Sequence, residues 1–280
     1  MKYFKLIKFS HTIFSLPFAL IGFLLATKQA PMPTWPVVMF IVLALVAART
    51  AAMAFNRWAD YRWDGKNPRT KNREIPTGII KPAQALTLAI TASVVFVILA
   101  GLINEICLFL SPVALIIILG YSYTKRFTSL AHVVLGVGLG IAPAATYIAV
   151  SGMFEPGLLL LCFGVMFWVA GFDIIYALQD MEFDREHKLH SIPVWLEYSG
   201  SLRLAAIFHL LTIGLMFLYI HYIDGGWYAM VGGILFSLLI VYQHIDVHRN
   251  GLKKVNMAFG TLNGVASLIF GLGYVLEYFY

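Results

Sequence analysis

Two clusters of carboxylates stand out by residue type and spacing. The first reads Asn56-Arg-Trp-Ala-Asp60-Tyr-Arg-Trp-Asp64, the second Tyr176-Ala-Leu-Gln-Asp180-Met-Glu-Phe-Asp184. Each contains Asp-x-x-x-Asp, preceded four residues earlier by a polar side chain. A spacing of four places side chains on one helix face, so each cluster is predicted to aim two carboxylates in one direction. Four carboxylates brought to one point repel unless cations join them. Magnesium takes oxygen ligands, keeps several waters, and is usually held by one or two carboxylates plus the phosphates of a substrate. The pattern therefore points to one magnesium ion at Asp60 and Asp64, with Asn56 orienting or ligating it. A second would sit at Asp180 and Asp184, and a diphosphate would bridge the two. Solvated helix ends also carry aspartate; it is the repeat of the spacing that favours the metal reading.

The residues around the clusters suit an anion. Arg69, Lys71 and Arg73 follow the first, Lys188 follows the second, and Lys125-Arg126 form a further pair. Arginine and lysine bind phosphate through charge-assisted hydrogen bonds. Arg49 lies seven residues before Asn56, and Asp173 lies seven before Asp180, so each shares a helix face with its cluster. Both fall within apolar segments, where ionisable groups usually face a bundle interior or a wet cavity.

Membrane helices are the elements that must position these groups. Of the 280 residues, 60% are hydrophobic and 12% charged, and the mean hydropathy is +0.81. A soluble domain carries about 25% charged residues. Nine apolar segments are predicted to be helices, at roughly 10–28, 35–58, 83–103, 106–123, 131–150, 156–178, 202–222, 226–244 and 256–278. The segment at 10–28 follows Lys2, Lys5 and Lys8 but lacks a clear cleavage site, so it reads as the first membrane helix rather than a signal peptide. With the N-terminus inside, the inside segments hold 18 of the 20 Lys and Arg residues; Lys28 falls outside and Arg49 within a helix. That asymmetry sets the orientation. The two clusters end the second and sixth helices and so share the inner side. Only 59–82 and 179–201 are long enough to be more than connectors. The expected fold is all-α, a single domain over 1–280, an integral membrane bundle with those two stretches on the inner side.

Other chemistry is poorly supported. Cys107 and Cys162 lie in separate apolar segments without ligand spacing. His244 and His248 are four apart but lack a third zinc ligand of suitable spacing. His187 and His190 could contact an acceptor or transfer a proton. A secondary transporter would account for the helix count and the buried charges, but its sites belong near the bilayer midplane. A phosphatidyltransferase of the CDP-alcohol type would need an Asp-Gly-x-x-Ala-Arg run, and Asp64-Gly65 is not followed by one.

The chain resembles the UbiA family of membrane prenyltransferases over nearly its full length. Asn56, Asp60 and Asp64 match the first family motif, followed by the loop Arg69-Thr-Lys-Asn72-Arg73-Glu-Ile-Pro76-Thr-Gly78. Tyr176 to Asp184 matches the second without a gap. Tyr121, Lys125 and Arg126 meet a Tyr-x-x-x-Lys-Arg element, followed by Leu135-Gly136 and Ala142-Pro143. Arg57 departs from the pattern, standing where many members have a further aspartate. That form, with the start Lys8-Phe-Ser-His11 to Pro17, resembles a 4-hydroxybenzoate prenyltransferase-like branch, some of which serves menaquinone rather than ubiquinone synthesis.

The resemblance implies nine helices around a central cavity, capped on the cytoplasmic side by the loops at about 59–82 and 179–201, and magnesium-dependent transfer of a polyprenyl group from its diphosphate to an aromatic ring. The implied partners are a polyprenyl diphosphate, an aromatic acid and membrane lipid, with no nucleic acid. It implies metal ligation by Asn56, Asp60, Asp64, Asp180 and Asp184. Arg69, Arg73, Lys125, Arg126 and Lys188 would bind diphosphate, while Arg49, Asn72, Tyr121, Asp173 and Tyr176 would be catalytic or bind substrate. Tyr176 could steady an allylic cation with its ring face. A naphthoate on a menaquinone route is the alternative acceptor.

Overall fold

A computed structural model describes Tyr3, Leu6 and residues 14–280, apart from the side chains of Lys254, Ala258 and Phe259. Lys2, Lys5, Lys8, His11 and the start of the segment at 10–28 lie outside the described residues. The helices of six residues or more are α1 (Leu16–Gln29), α2 (Trp35–Asp64), α3 (Pro82–Ile103), α4 (Glu105–Thr124), α5 (Ala131–Gly140), α6 (Ala142–Ser151), α7 (Leu158–Ala177), α8 (Met181–Glu186), α9 (Ile192–Tyr222), α10 (Trp227–Asn250) and α11 (Asn263–Phe279). No strand occurs among the described residues. Eight stretches among those residues are long and apolar enough to cross a membrane, α5 with α6 counting as one, and α1 is a shorter ninth of 14 residues. The protein is an all-helical integral membrane protein.

Local chemistry sets the helix ends. Prolines stand in the first two positions of α1, α2, α3, α6 and α9, where the missing N–H has no intrahelical partner to lose. The tight turn between α3 and α4 is made by Asn104, which is extended and accepts from Cys107 N at 2.7 Å through its side chain. The segment expected at 131–150 breaks at Ile141, because Pro143 cannot continue the hydrogen-bond ladder from α5.

Two boundaries differ from the sequence expectation, and both matter for the site. The second helix does not stop near 58 but carries the whole first cluster to Asp64. The stretch 179–201 is largely helical. It holds a 3-10 turn (Leu178–Asp180), α8 and the start of α9, which is interrupted at Glu197 by φ 56°. Polar composition marked these stretches as loops, whereas local backbone hydrogen bonding organises them.

The chain groups into two compact units. One comprises residues 32–123 with Tyr3 and Leu6. In it α2 packs on α3 through small residues: Ala44, Ala47, Ala51 and Ala54 are buried on α2, and Ala85, Ala89 and Ala92 on α3. Alanine lets backbones approach closely where lipid supplies no hydrophobic drive for helices to associate. Large apolar side chains such as Ile90, Val94, Ile98 and Ile116 are exposed, as a lipid-facing surface requires.

The other unit comprises residues 14–31 and 124–280. Its core is aromatic. Trp168 on α7 meets Phe18, Phe172 and Phe236 at centroid distances of 5.4, 5.1 and 5.6 Å. Here α7 packs on α5 and α9, α10 on α11, and α1 on α6. At Gly136 and Gly140 an added Cβ would lie 2.3 Å from the Met166 carbonyl oxygen and 2.6 Å from that of Cys162, so α5 and α7 touch backbone to backbone.

Candidate functional site

In the first unit the last three turns of α2 carry the acidic cluster. Asn56 Nδ2 donates to Asp60 Oδ2 at 3.0 Å, the i,i+4 geometry expected of the spacing. Asp64, one turn on, is 7% exposed. Its Oδ1 accepts from Arg73 at 2.7 Å, and its Oδ2 is buried without a hydrogen-bond partner. Arg73 reaches Asp64 because the segment after α2 folds back in successive turns. Thr70 Oγ1 donates to the Asp64 carbonyl at 3.1 Å, and Gly78 takes the positive φ of 77° that turns the chain toward α3. Ile75 and Ile80 are buried with Ala54, Ala85 and Ala89, pinning that fold-back. Arg69 and Asn72 are exposed on it.

Arg57, the departure from the family motif, is buried at 6% exposure with its Nε unpartnered. The charges of Arg73, Asp64, Glu74 and Asp60 act on it. A cation thus stands inside the first cluster at the position where a further carboxylate would add a ligand. Arg49, two turns before Asn56, is half-buried and its Nε also lacks a partner. Tyr121, near the end of α4, is half-buried.

In the second unit the acidic cluster does not ride one uninterrupted α-helix. Asp180 closes the 3-10 turn after α7, and Asp184 lies in α8. Both are buried, at 7% and 3% exposure. Lys125 Nζ donates to Asp184 Oδ2 at 3.1 Å. Burial alone would lower the pKa of this ammonium, but the carboxylates of Asp184, Asp180 and Asp173 outweigh it and hold the value above that of an ordinary lysine. The backbone fixes this arrangement from both sides: His190 N donates to the Lys125 carbonyl at 2.7 Å, and Leu189 N to the Asp184 carbonyl at 2.8 Å. Lys188 occupies the turn between them at φ 55° and is exposed, as is Arg126. Tyr176 is half-buried at the end of α7, its carbonyl accepting from Gln179.

Further contacts were not anticipated from sequence. Arg185 reaches both carboxylate oxygens of Glu197 at 2.6 Å, tying α8 to the interruption in α9. His132, in the first turn of α5, places Nδ1 2.7 Å from Asp173 Oδ2. Its sequence signal was a lone histidine opening an apolar helix, four residues before Gly136. His244 does not pair with His248 in a metal site but meets His209 at 2.7 Å, and His187 stacks on Phe183.

Among the described residues no three His, Cys, Asp or Glu side chains converge to hold a metal by themselves. A magnesium ion at either pair would take its remaining ligands from water and substrate phosphate. The unpartnered Asp64 Oδ2 is an available oxygen of the right kind.

Fold and site together define an all-helical membrane protein whose helix ends carry paired carboxylates beside arginine and lysine. The UbiA prenyltransferase family matches residues 15–268, and the chain belongs to it; the protein is a membrane prenyltransferase. A relative from Nitrosomonas eutropha, a 4-hydroxybenzoate octaprenyltransferase, is 28% identical over 89% of this chain and 86% of its own. One from Actinobacillus pleuropneumoniae with the same name is 30% identical over 72% and 69%. The solved UbiA homologue of Aeropyrum pernix K1 superposes with a TM-score of 0.87 at 34% identity, covering 95% of this chain and 98% of that one. A UbiA homologue from Archaeoglobus fulgidus bound to GPP and Mg2+ shares the fold, with a TM-score of 0.74 at 20% identity over 99% of both. Membership of an enzyme family removes the transporter reading.

Proposed function

We propose that the protein transfers a polyprenyl group from its diphosphate to an aromatic acid of the 4-hydroxybenzoate type, in respiratory quinone synthesis, at the cytoplasmic face of the inner membrane. The observation that carries the reading is that each acidic cluster contains a buried carboxylate held by one basic side chain, Asp64 by Arg73 and Asp184 by Lys125. Clusters of this kind offer both oxygen ligands for a cation and donors for a phosphate. The names of the relatives support the aromatic acceptor.

In this reading Asp60, Asp64 and Asn56 hold one magnesium ion, and Asp180 and Asp184 hold another. When bound, the metal supplies positive charge to a departing diphosphate. The side chains of Arg69, Arg73, Lys125, Arg126 and Lys188 donate hydrogen bonds to its oxygens, and the raised pKa of Lys125 keeps that donor charged at neutral pH. Asn72 and Tyr121 orient the same group. The unpartnered Nε of Arg49 suits the acceptor's carboxylate. The allylic C–O bond breaks with its electron pair going to diphosphate, and a π pair of the ring forms the new C–C bond. The ring face of Tyr176 steadies the allylic cation, and apolar helices exclude the water that would quench it. The isoprenoid tail lies in lipid or along apolar helix surface.

The test is an assay of purified protein in detergent with geranyl diphosphate and 4-hydroxybenzoate, with magnesium and with EDTA. Magnesium-dependent prenylated benzoate is the expected product. Prenylation of a hydroxynaphthoate alone would move the acceptor to the menaquinone route, and no prenylated aromatic product with either would overturn the reading.

A further inference from the structure

Asp173 belongs to the face of α7 that leads into the second cluster, but it is not among the proposed metal ligands. It lies two turns before Asp180, and its charge acts on Lys125 together with those of Asp184 and Asp180. Its partner is His132. Because an ionised carboxylate can only accept, the 2.7 Å contact is a hydrogen bond from His132 Nδ1–H to Asp173 Oδ2. The imidazole is wholly enclosed, its side chain 1% exposed against 14% for Asp173, and its Nε2 is buried without a partner. The carboxylate is therefore the accessible member of the pair, with the ring behind it. That hydrogen bond engages Oδ2 and leaves Oδ1 outside it.

Helix packing fixes this pairing. His132, Gly136 and Gly140 are spaced by four and share one face of α5. The two glycines bring α5 against the backbone of α7 at Met166 and Cys162. One turn nearer the N-terminus of α5, the His132 side chain reaches that of Asp173 on α7. A histidine so placed leaves a buried nitrogen unsatisfied, a cost an apolar residue would avoid. What it supplies in return is the Nδ1–H.

Aromatic prenyl transfer must dispose of one proton. Once the C–O bond has broken and the C–C bond has formed, the attacked ring carbon still carries its hydrogen, which must leave as a proton for aromaticity to return. Asp180 and Asp184 are committed to metal in the reading above, and Lys125 is already protonated. Resting on that reading, we propose that Asp173 Oδ1 takes the ring proton. His132 is the positioning residue that holds the Asp173 carboxylate in place through Nδ1–H···Oδ2. Asp173 is left as a carboxylic acid and gives the proton to water as product departs.

The experiment uses the purified full-length protein, geranyl diphosphate, magnesium, and 4-hydroxybenzoate with hydrogen or deuterium at the ring carbons ortho to its hydroxyl. Rates are compared for wild type, His132→Leu, His132→Asn, Asp173→Asn and the double variant Asp173→Asn/His132→Leu. Binding of labelled geranyl diphosphate is measured separately. His132→Leu should lower kcat by about 10- to 100-fold, the worth of a lost hydrogen bond to a charged group, with donor affinity within about twofold. Deuterium should slow this variant further, because proton removal has become limiting. His132→Asn, whose amide N–H stands where Nδ1–H was, should recover most of the rate. The double variant should be no slower than Asp173→Asn, because His132 acts only through Asp173. Wild-type rates in His132→Leu, absence of an isotope effect, or losses that multiply in the double variant would each overturn the proposal. Should His132→Leu not fold, Asp173→Asn carries the isotope test with the same two outcomes. Failure of the underlying reading shows itself separately, as wild type that prenylates no aromatic acceptor, and this proposal falls with it.

Discussion

Replacing Lys125 with methionine keeps the length and packing of the stem and removes only the ammonium. In the structure that ammonium is 3.1 Å from Asp184 Oδ2. At an effective dielectric of about 20 the attraction is about 5 kcal/mol before desolvation is counted. The two partners are unequally placed: the Asp184 side chain is 4% exposed and that of Lys125 is 31%. Water already offsets part of the gain at the lysine, whereas the carboxylate cannot rehydrate once its partner is gone. The net loss should fall between the roughly 0–1 kcal/mol of exposed pairs and the roughly 3–5 kcal/mol of broken buried ones, at about 2 kcal/mol. That corresponds to a fall in apparent Tm of about 4–8 °C, read in one detergent at one scan rate. The stranded charge is the cause, so adding Asp184→Asn to Lys125→Met should raise the Tm again even though the double variant turns over no substrate. The reasoning is refuted if Lys125→Met is as stable as wild type, or if Asp184→Asn lowers the stability of Lys125→Met further.

The remaining expectations are more direct. Asp60→Ala should abolish magnesium-dependent turnover while the protein still elutes as a folded species from a sizing column; full activity in that variant would remove Asp60 from the metal site. Gly136→Val should push α5 off α7, because even its Cβ would fall 2.3 Å from the Met166 carbonyl oxygen; a destabilisation of about 1–3 kcal/mol or more and loss of product are expected. The Tm difference between wild type and Lys125→Met should be level from pH 6 to about 9. With the folded pKa raised, the stabilisation is complete below the unfolded lysine value of about 10.4 and is lost only as pH rises through the higher folded one. A difference that vanishes near neutrality would contradict a raised value.

The sequence by itself determined the environment, the helix content and the identity of the carboxylates. Hydrophobicity sustained over about 20 residues leaves few structures other than a membrane helix, because every backbone group must be satisfied within the segment. A spacing of four is a local property, so the Asn56–Asp60 contact was legible without any tertiary information. Tertiary structure decided which groups face one another. No local rule says that Arg73 rather than Arg69 or Lys71 meets Asp64; that follows from the fold-back pinned by Ile75 and Ile80. None brings Lys125 to Asp184, 59 residues away, or sets His132 behind Asp173, 41 residues away. The last pairing depends on two glycines that let helices α5 and α7 touch. Helix periodicity shows which side chains share a face, but the register between two faces is set only when the backbones meet.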